Sequence, residues 1–241
     1  MLKFTFYTTH YITMPQLHIP ANSFTFLKQL QKNNNRDWFN ARKDEYLQHK
    51  ETIEAFADGL IAQLNTHDVI ETPSGKKSLH RIYRDTRFGT DKTPCSPRWG
   101  GHFTRATPQR RGGYYFHIEP GNTFFVGGFR NPNAADLKRI REDITYDAQP
   151  LRKILADKTF VSTFKTLKGE QLQKAPKGFD VNNPAIDLLR YKQFLLVKHF
   201  TDAEVLSPDF LTHASQVFKN MRPFFDYMSE VLTTNANGEA I

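Results

Sequence analysis

The stretch "GGYYFHIEPGNTFFVGGFR", residues 112–130, decides the fold of this 241-residue chain. Two runs rich in aromatic and β-branched residues, which favour strands, lie on either side of Pro120 and Gly121. Proline suits the second position of a type II turn, and glycine suits the third because that position needs a positive φ. The stretch therefore predicts a β-hairpin.

Strand alternation divides the side chains of this hairpin between two faces. One face takes Tyr114, Phe116 and Ile118, and the other takes Tyr115, His117 and Glu119. If Pro120 and Gly121 form a two-residue loop, His117 lies opposite Phe124 and Arg130 shares the His117 face. We expect the apolar face to pack into the core and the mixed face to line a pocket.

The sequence on both sides of the hairpin predicts an α+β fold. Residues 24–64 have helical spacing, with an interruption at residues 33–35, where asparagines favour a cap. Short strands are predicted at residues 79–84, 102–105 and 191–200. C-terminal helices are predicted after Asn133, near Pro150, at residues 160–167 and 185–189, and from Ser207 onward as one long helix kinked at Pro223. This order predicts a mainly antiparallel sheet with a central hairpin, packed by the N-terminal and C-terminal helices.

The domain prediction is a single α+β domain over residues 23–232. Residues 1–22 form an N-terminal extension, in which residues 1–13 are expected to be loosely held and Met14 is an alternative start. Residues 233–241 form a tail that we expect to fray. No internal repeat or biased linker marks a further boundary.

The bulk composition limits the class of protein. The 21 phenylalanines indicate a well-packed core, and the single cysteine, Cys95, excludes an internal disulfide framework. No run of about 18 apolar residues is present, so no membrane span is expected. We expect a cytoplasmic protein with no membrane partner.

The positive charge of the chain is local. Residues 75–111 contain ten lysines and arginines and two acids, which accounts for the whole formal net charge of +8. Within this basic window, "RIYRDTRFGTDKTP" at residues 81–94 places three arginines close together. Guanidinium groups bind carboxylate and phosphate in a bidentate manner, although surface arginines also pair with acids or stay solvated.

We therefore expect a small, phosphate-bearing anionic ligand in an arginine-rich pocket. The walls of the pocket are the bend in this segment and the His117 face of the hairpin. The expected ligand-binding residues are Arg81, Tyr83, Arg84, Asp85, Arg87, Lys92 and Arg130.

His117 and Glu119 are the candidate catalytic residues. Two residues apart in a strand, they share a face, so the carboxylate is able to orient the imidazole for general acid/base catalysis. The simpler interpretation is structural hydrogen bonding. The pair also resembles two metal ligands, but no third ligand is placed by spacing, and no metal is predicted. The sequence leaves open whether the protein is an enzyme and which cofactor it uses.

Two alternatives use the same residues differently. The basic window, residues 75–111, is able to bind nucleic acid as a surface stripe, with Tyr83, Phe88, Trp99 and Phe103 available for stacking. The other alternative is a non-catalytic scaffold or partner-binding protein. The sequence does not indicate an oligomeric state.

The chain resembles the family called domain of unknown function 2461. The matching stretches are "FLKQLQKNNNRDWFNARKDEY", "RIYRDTRFGTDKTP", "GGYYFHIEPGNTFFVGGFRNP", "LRKIL", "APKGFD" and "NPAIDLLRYKQFLLVK". The similarity runs from about Ser23 to the C-terminus. It departs at "DKTPCSP", where members of the family often have "DKTPYK". The resemblance implies a soluble, cytoplasmic, single-domain α+β protein and implies no reaction.

Overall fold

The helices and strands follow the order expected from the sequence. A computed structural model describes residues 17–87, 90–235 and 239–240, so the predicted loose segment over residues 1–13 lies outside the described residues. The helices are α1 Ala21–Lys32, α2 Arg36–Ala41, α3 Lys43–Leu64, α4 Gly75–Ser78, α5 Ala134–Tyr146, α6 Gln149–Ala156, α7 Lys158–Phe164, α8 Ile186–Leu189, α9 Asp202–Val205, α10 Phe210–Lys219 and α11 Arg222–Thr233. The strands are β1 Trp99–Thr104, β2 Gly113–Ile118, β3 Thr123–Phe129 and β4 Phe194–Phe200. The prediction of an α+β fold with an antiparallel sheet is confirmed.

The asparagine-rich interruption separates α1 from α2. The side chain of Asn35 accepts a hydrogen bond from the backbone N–H of Trp38 at 2.9 Å and so caps α2. In α3, Ile53, Phe56 and Leu60 recur at helical spacing and are fully buried.

The sheet has the order β1-β2-β3-β4, and each neighbouring pair is antiparallel. Between β2 and β3 the backbone N–H of Asn122 donates to the carbonyl of Glu119 at 2.9 Å. Gly121 has a φ of +77°, as the third position of a type II turn requires. In this register His117 lies opposite Phe124.

One face of the sheet, here called the core face, packs on α10 and α11. Phe125 stacks on Phe218 with ring centroids 5.1 Å apart, and Tyr114 contacts Phe218 and Phe225 edge to face at 4.9 Å. Offset and edge-to-face ring pairs contribute about 0.5–1.5 kcal/mol beyond the area they bury. These contacts fix which side of each strand faces the helices.

The predicted strand at residues 79–84 is not continuous. Leu79 pairs with Gly101 and Tyr83 pairs with Cys95 only through isolated bridges. The segment opposite contains Pro94 and Pro97, which have no backbone N–H to donate, so a regular ladder cannot form there.

The C-terminal helix also differs from the prediction. The expected single kinked helix is two helices, α10 and α11, because Pro223 occupies one of the first positions of α11. Proline lacks the N–H that an interior helical position donates and is well tolerated only in the first turn. In the tail expected to fray, Thr234 pairs with Ala240, while residues 236–238 and 241 lie outside the described residues.

Flanking segments cover both outer strands. Beside β1, the N–H of Glu71 donates to the carbonyl of Thr104 and the N–H of His80 to that of Gly100, each at 2.8 Å. Beside β4, Lys168 and Leu195 exchange hydrogen bonds of 2.8 and 2.9 Å. Among the described residues, no helix has the length and apolar character needed to cross a membrane.

A buried ionic cluster lies where β2 meets the helices. The Asp68 carboxylate has no exposed surface and accepts hydrogen bonds from Arg105 Nε and Tyr114 Oη, both at 2.7 Å. Arg110 and Arg222 lie 3.1 and 3.2 Å from the same carboxylate. Burial by itself raises the pKa of Asp68, but the hydrogen bonds from Arg105 and Tyr114 outweigh it and lower the pKa below its usual value.

We predict that Asp68→Asn destabilises the fold by about 3–5 kcal/mol, because it removes the buried negative partner of Arg105 and leaves that guanidinium only the exposed Asp226 at 3.6 Å. Urea unfolding at pH 7 measures this loss. Asp85→Asn is the control, since Asp85 pairs with Arg87 on an exposed loop, and its unfolding midpoint should match the wild type. Equal midpoints for the two variants would contradict the prediction.

The same carboxylate predicts acid sensitivity. Because its pKa is lowered in the folded state, its contribution is complete above the unfolded value of about 4 and is lost as the pH falls toward the folded pKa. Asp68→Asn should therefore reduce the dependence of stability on pH below pH 4.

Candidate functional site

The candidate site lies on the face of the sheet that points away from α10 and α11. We call this surface the open face and define it by His102, Tyr115, His117, Phe124, Val126 and His199, which follow from the strand register. His102 and His199 are exposed, while Tyr115, Phe124 and Val126 are half-buried. His117 is buried although it points to this side, because Phe124 stacks on its ring with centroids 4.4 Å apart.

A hydrogen-bond relay crosses the open face. Nη1 of Arg98 lies 3.0 Å from Tyr115 Oη, Tyr115 Oη lies 3.2 Å from His117 Nδ1, and His117 Nε2 lies 2.9 Å from Glu119 Oε2. A carboxylate only accepts and a guanidinium only donates. A neutral His117 therefore carries its proton on Nε2, donates it to Glu119, and accepts the Tyr115 O–H at Nδ1. Every donor in the relay points toward Glu119.

His117 is a base in this environment. Burial is the largest effect and lowers the pKa of His117, the hydrogen bond to Glu119 raises it, and the positive charge of Arg98 lowers it again. The net shift is downward, so the imidazole is neutral at pH 7 and its Nδ1 is available to accept a proton. Asn122 holds Glu119 in place through a 2.9 Å hydrogen bond to the same carboxylate oxygen.

Gly100 makes room for the contact between Arg98 and Tyr115. A Cβ at residue 100 would lie 2.7 Å from Nη1 of Arg98 and 3.1 Å from Tyr115 Oη. Burial raises the pKa of Tyr115, and the charges of Arg98 and Arg130 lower it. Of these two guanidinium groups, Arg98 also donates a hydrogen bond to the Tyr115 hydroxyl.

Two further imidazoles border the relay. Nε2 of His80 lies 3.2 Å from Nδ1 of His102, and the His80 ring stacks on Tyr115 at 5.7 Å. Among the described residues, no group of three or more His, Cys, Asp or Glu side chains is placed to hold a metal ion.

Three of the predicted site residues, His117, Glu119 and Arg130, belong to the open-face side of the hairpin. The predicted residues of the segment 81–94 have other partners or are exposed. His117 and Glu119 are hydrogen-bonded, and the charge of Arg130 acts on Tyr115. In the segment 81–94, Arg84 pairs with Asp91, Arg87 pairs with Asp85 at 2.7 Å, and Lys92 donates to the carbonyl of Thr86 at 2.8 Å. Arg81 and Tyr83 are exposed. The ligand-binding role of these loop residues stays a prediction.

The cations of the basic window lie in several parts of the molecule. Its first part forms the self-paired loop, and Arg98 reaches the open face. Arg105 and Arg110 join the Asp68 cluster, and Arg111 pairs with Asp136 of α5. These arginines therefore have partners in different parts of the molecule, and nucleic-acid binding by the basic window stays a prediction.

Two clefts lie away from the relay. Tyr83 and Arg84 line one of about 200 Å³ together with Arg36 and Cys95. A larger cleft of about 500 Å³ lies against α6, α7 and α8. Its walls are mainly apolar, and its arginine, Arg152, pairs with Asp187 at 2.7 Å. Neither cleft contains a linked acid and base, so we place the candidate chemistry at the open face.

Sequence reasoning missed Arg98 and the role of Gly100. The glycine pair at residues 100–101 was a usable signal, because Gly100 lies opposite His117 in the β1-β2 register. The position of Arg98 follows from this glycine pair only when the pairing of β1 with β2 is known.

We predict that the His117 imidazole titrates below the ordinary value of about 6.5. Proton NMR of the ring resonances as a function of pH measures this midpoint. Glu119→Gln should lower the midpoint further, because the carboxylate favours the charged ring. Arg98→Met should raise it, because a nearby positive charge is removed.

The opposite shifts of these two variants are the control for unfolding, which would move both midpoints toward the free value. The lowered pKa of His117 also makes the free energy of unfolding depend on pH. Since the folded pKa of His117 is below the unfolded one, stability falls as the pH drops from about 6.5 toward the folded pKa.

Comparisons with known proteins identify the family. No curated protein and no solved structure matches the chain. The model of the family described as "Conserved hypothetical protein (DUF2461)" matches residues 22–227, which include all four strands and the whole relay. The protein belongs to this family.

Proposed function

We propose that the protein binds a small phosphate-bearing anion on the open face, between Arg98 and Arg130. The observation that carries the proposal is the state of these two guanidinium groups. Arg98 donates a hydrogen bond to the Tyr115 hydroxyl at 3.0 Å and the charge of Arg130 lowers the pKa of Tyr115, yet neither guanidinium forms an ion pair with an acid in the part of the chain that the structure describes.

The only acid in the relay does not neutralise them. Glu119 is hydrogen-bonded to His117 and to Asn122, at 2.9 Å in each case. Arg98, which is hydrogen-bonded to the half-buried Tyr115 hydroxyl, and Arg130 therefore have no negatively charged ion-pair partner among the described residues. A phosphate group supplies that charge and has oxygens that match the forked guanidinium geometry.

The proposal includes turnover with His117 as general acid/base. Its Nδ1 is the basic atom, and Glu119 sets the tautomer through Nε2. Glu119 therefore orients the ring and stabilises the charged form after proton uptake, as the third member of a catalytic triad does.

The prediction from the sequence adds a second wall to the pocket. That wall is the loop with the residues Arg81, Tyr83, Arg84, Asp85, Arg87 and Lys92. With that wall, the ligand displaces Asp91 and Asp85 from Arg84 and Arg87. Because this exchange costs two existing ion pairs, we assign the anion first to Arg98 and Arg130.

Calorimetric titration with inorganic phosphate at low ionic strength tests the proposal. Arg98→Gln and Arg130→Gln should each weaken binding by at least about tenfold, since a hydrogen bond to a charged group contributes about 1.5–3 kcal/mol and 1.4 kcal/mol is tenfold. The matched controls are Arg84→Gln and Arg152→Gln, which remove paired arginines and should bind phosphate as the wild type does.

Loss of binding in Arg84→Gln and Arg87→Gln with retention in Arg98→Gln would move the site to the loop. Equal affinity in all variants would reject an arginine-built site.

Titration with a single-stranded oligonucleotide tests the alternative partner. Each phosphate contact of a single strand contributes about −0.7 to the slope of log affinity against log salt concentration. A slope several times this value would favour nucleic acid.

A further inference from the structure

The hydroxyl of Tyr115 lies between a base and a cation. Its proton points to His117 Nδ1 at 3.2 Å, and its oxygen accepts from Nη1 of Arg98 at 3.0 Å. A hydroxyl within reach of a base that a carboxylate orients is the arrangement that activates nucleophiles, and tyrosine is one of the side chains that serve in this role.

We propose that Tyr115 is the nucleophile of this site and attacks the phosphorus of a phosphoanhydride or aryl phosphate ester. The inference rests on the proposed function, because Arg98 and Arg130 would hold the phosphoryl group beside Tyr115. It adds a reactive atom and a substrate class. The substrates are those whose leaving group departs as a stable oxyanion, because the relay offers one base and no second acid on the far side of the phosphorus.

The reaction balances in two steps. In the first, a bond forms between Tyr115 Oη and phosphorus, the phenolic proton moves to His117 Nδ1, and the bond to the leaving oxygen breaks with its electron pair. In the second, water attacks the phosphorus, the Oη–phosphorus bond breaks, and Oη takes the proton back from His117. Both protons of the water leave on inorganic phosphate. The net change is hydrolysis.

The surroundings of Tyr115 support a reactive role over a purely structural one. Burial raises the pKa of the phenol, so a free phenolate is unfavourable and a linked base is needed at the moment of attack. Arg98 lies against the same oxygen and stabilises the negative charge that develops there. Gly100 leaves the space beside Oη and Arg98 Nη1 without a side chain.

Labelling with benzenesulfonyl fluoride tests the nucleophile without a known substrate. The phenolic oxygen displaces fluoride from sulfur, and the phenolic proton is taken up by the base, so the reaction reports an activated tyrosine. Peptide mapping by mass spectrometry should show faster modification of Tyr115 than of Tyr146, although Tyr146 is 93% exposed and Tyr115 is half-buried. His117→Gln should slow modification of Tyr115 by at least about tenfold (about 1.4 kcal/mol) and leave that of Tyr146 unchanged.

Glu119→Gln, at a half-exposed position, is the second variant if His117→Gln does not fold, and it should slow labelling in the same direction. Modification of Tyr146 at the same rate as Tyr115, or labelling of Tyr115 unaffected by both variants, would overturn the inference.

The two proposals fail separately. If phosphate binds through Arg98 and Tyr115 is not selectively labelled, the anion site stands and the nucleophile is rejected. If Tyr115 is labelled through His117 and inorganic phosphate gives no protection, the activated tyrosine stands and the phosphate site is rejected.

Discussion

The packing of aromatic rings between the sheet and α10 and α11 is the interaction on which the rest of the structure depends. Phe125 on Phe218 and Tyr114 on Phe225 commit one side of each strand to the core. Strict alternation then sends Tyr115 and His117 to the other side. A slip of one residue would exchange the two faces, burying the relay and exposing the rings, so the large cost of exposing the core protects the geometry of the site.

The Asp68 cluster binds part of the positive charge of this chain, which has a formal net charge of +8. The buried carboxylate gathers two arginines of the basic window, Arg105 and Arg110, together with Arg222 of α11. Such a cluster is costly to desolvate and costly to break, which favours a single arrangement of the helices around β2.

The fold class and the face shared by Tyr115, His117 and Glu119 were within reach of the sequence, because they depend on local alternation and on one turn. The partners of the arginines were not. Arg105 pairs with Asp68, which is 37 residues away, and Arg111 pairs with Asp136, which is 25 residues away, so counting charges over a window could not separate buried arginines from free ones.

The segment at residues 79–84 has the composition of a strand, but prolines in the opposite segment prevent a regular hydrogen-bond ladder. That information lies outside the segment itself. Arg98 was missed for a similar reason, since its position depends on the register between β1 and β2.

The covered outer strands have a consequence for the behaviour of the protein at high concentration. An antiparallel sheet with free outer N–H and C=O groups invites a strand from another molecule, which begins aggregation or fibril growth. Here short neighbouring segments already use backbone groups of Thr104 and Gly100 on one side and of Leu195 on the other. Intermolecular strand addition must first displace these segments, so they limit the self-association that an uncovered sheet would risk.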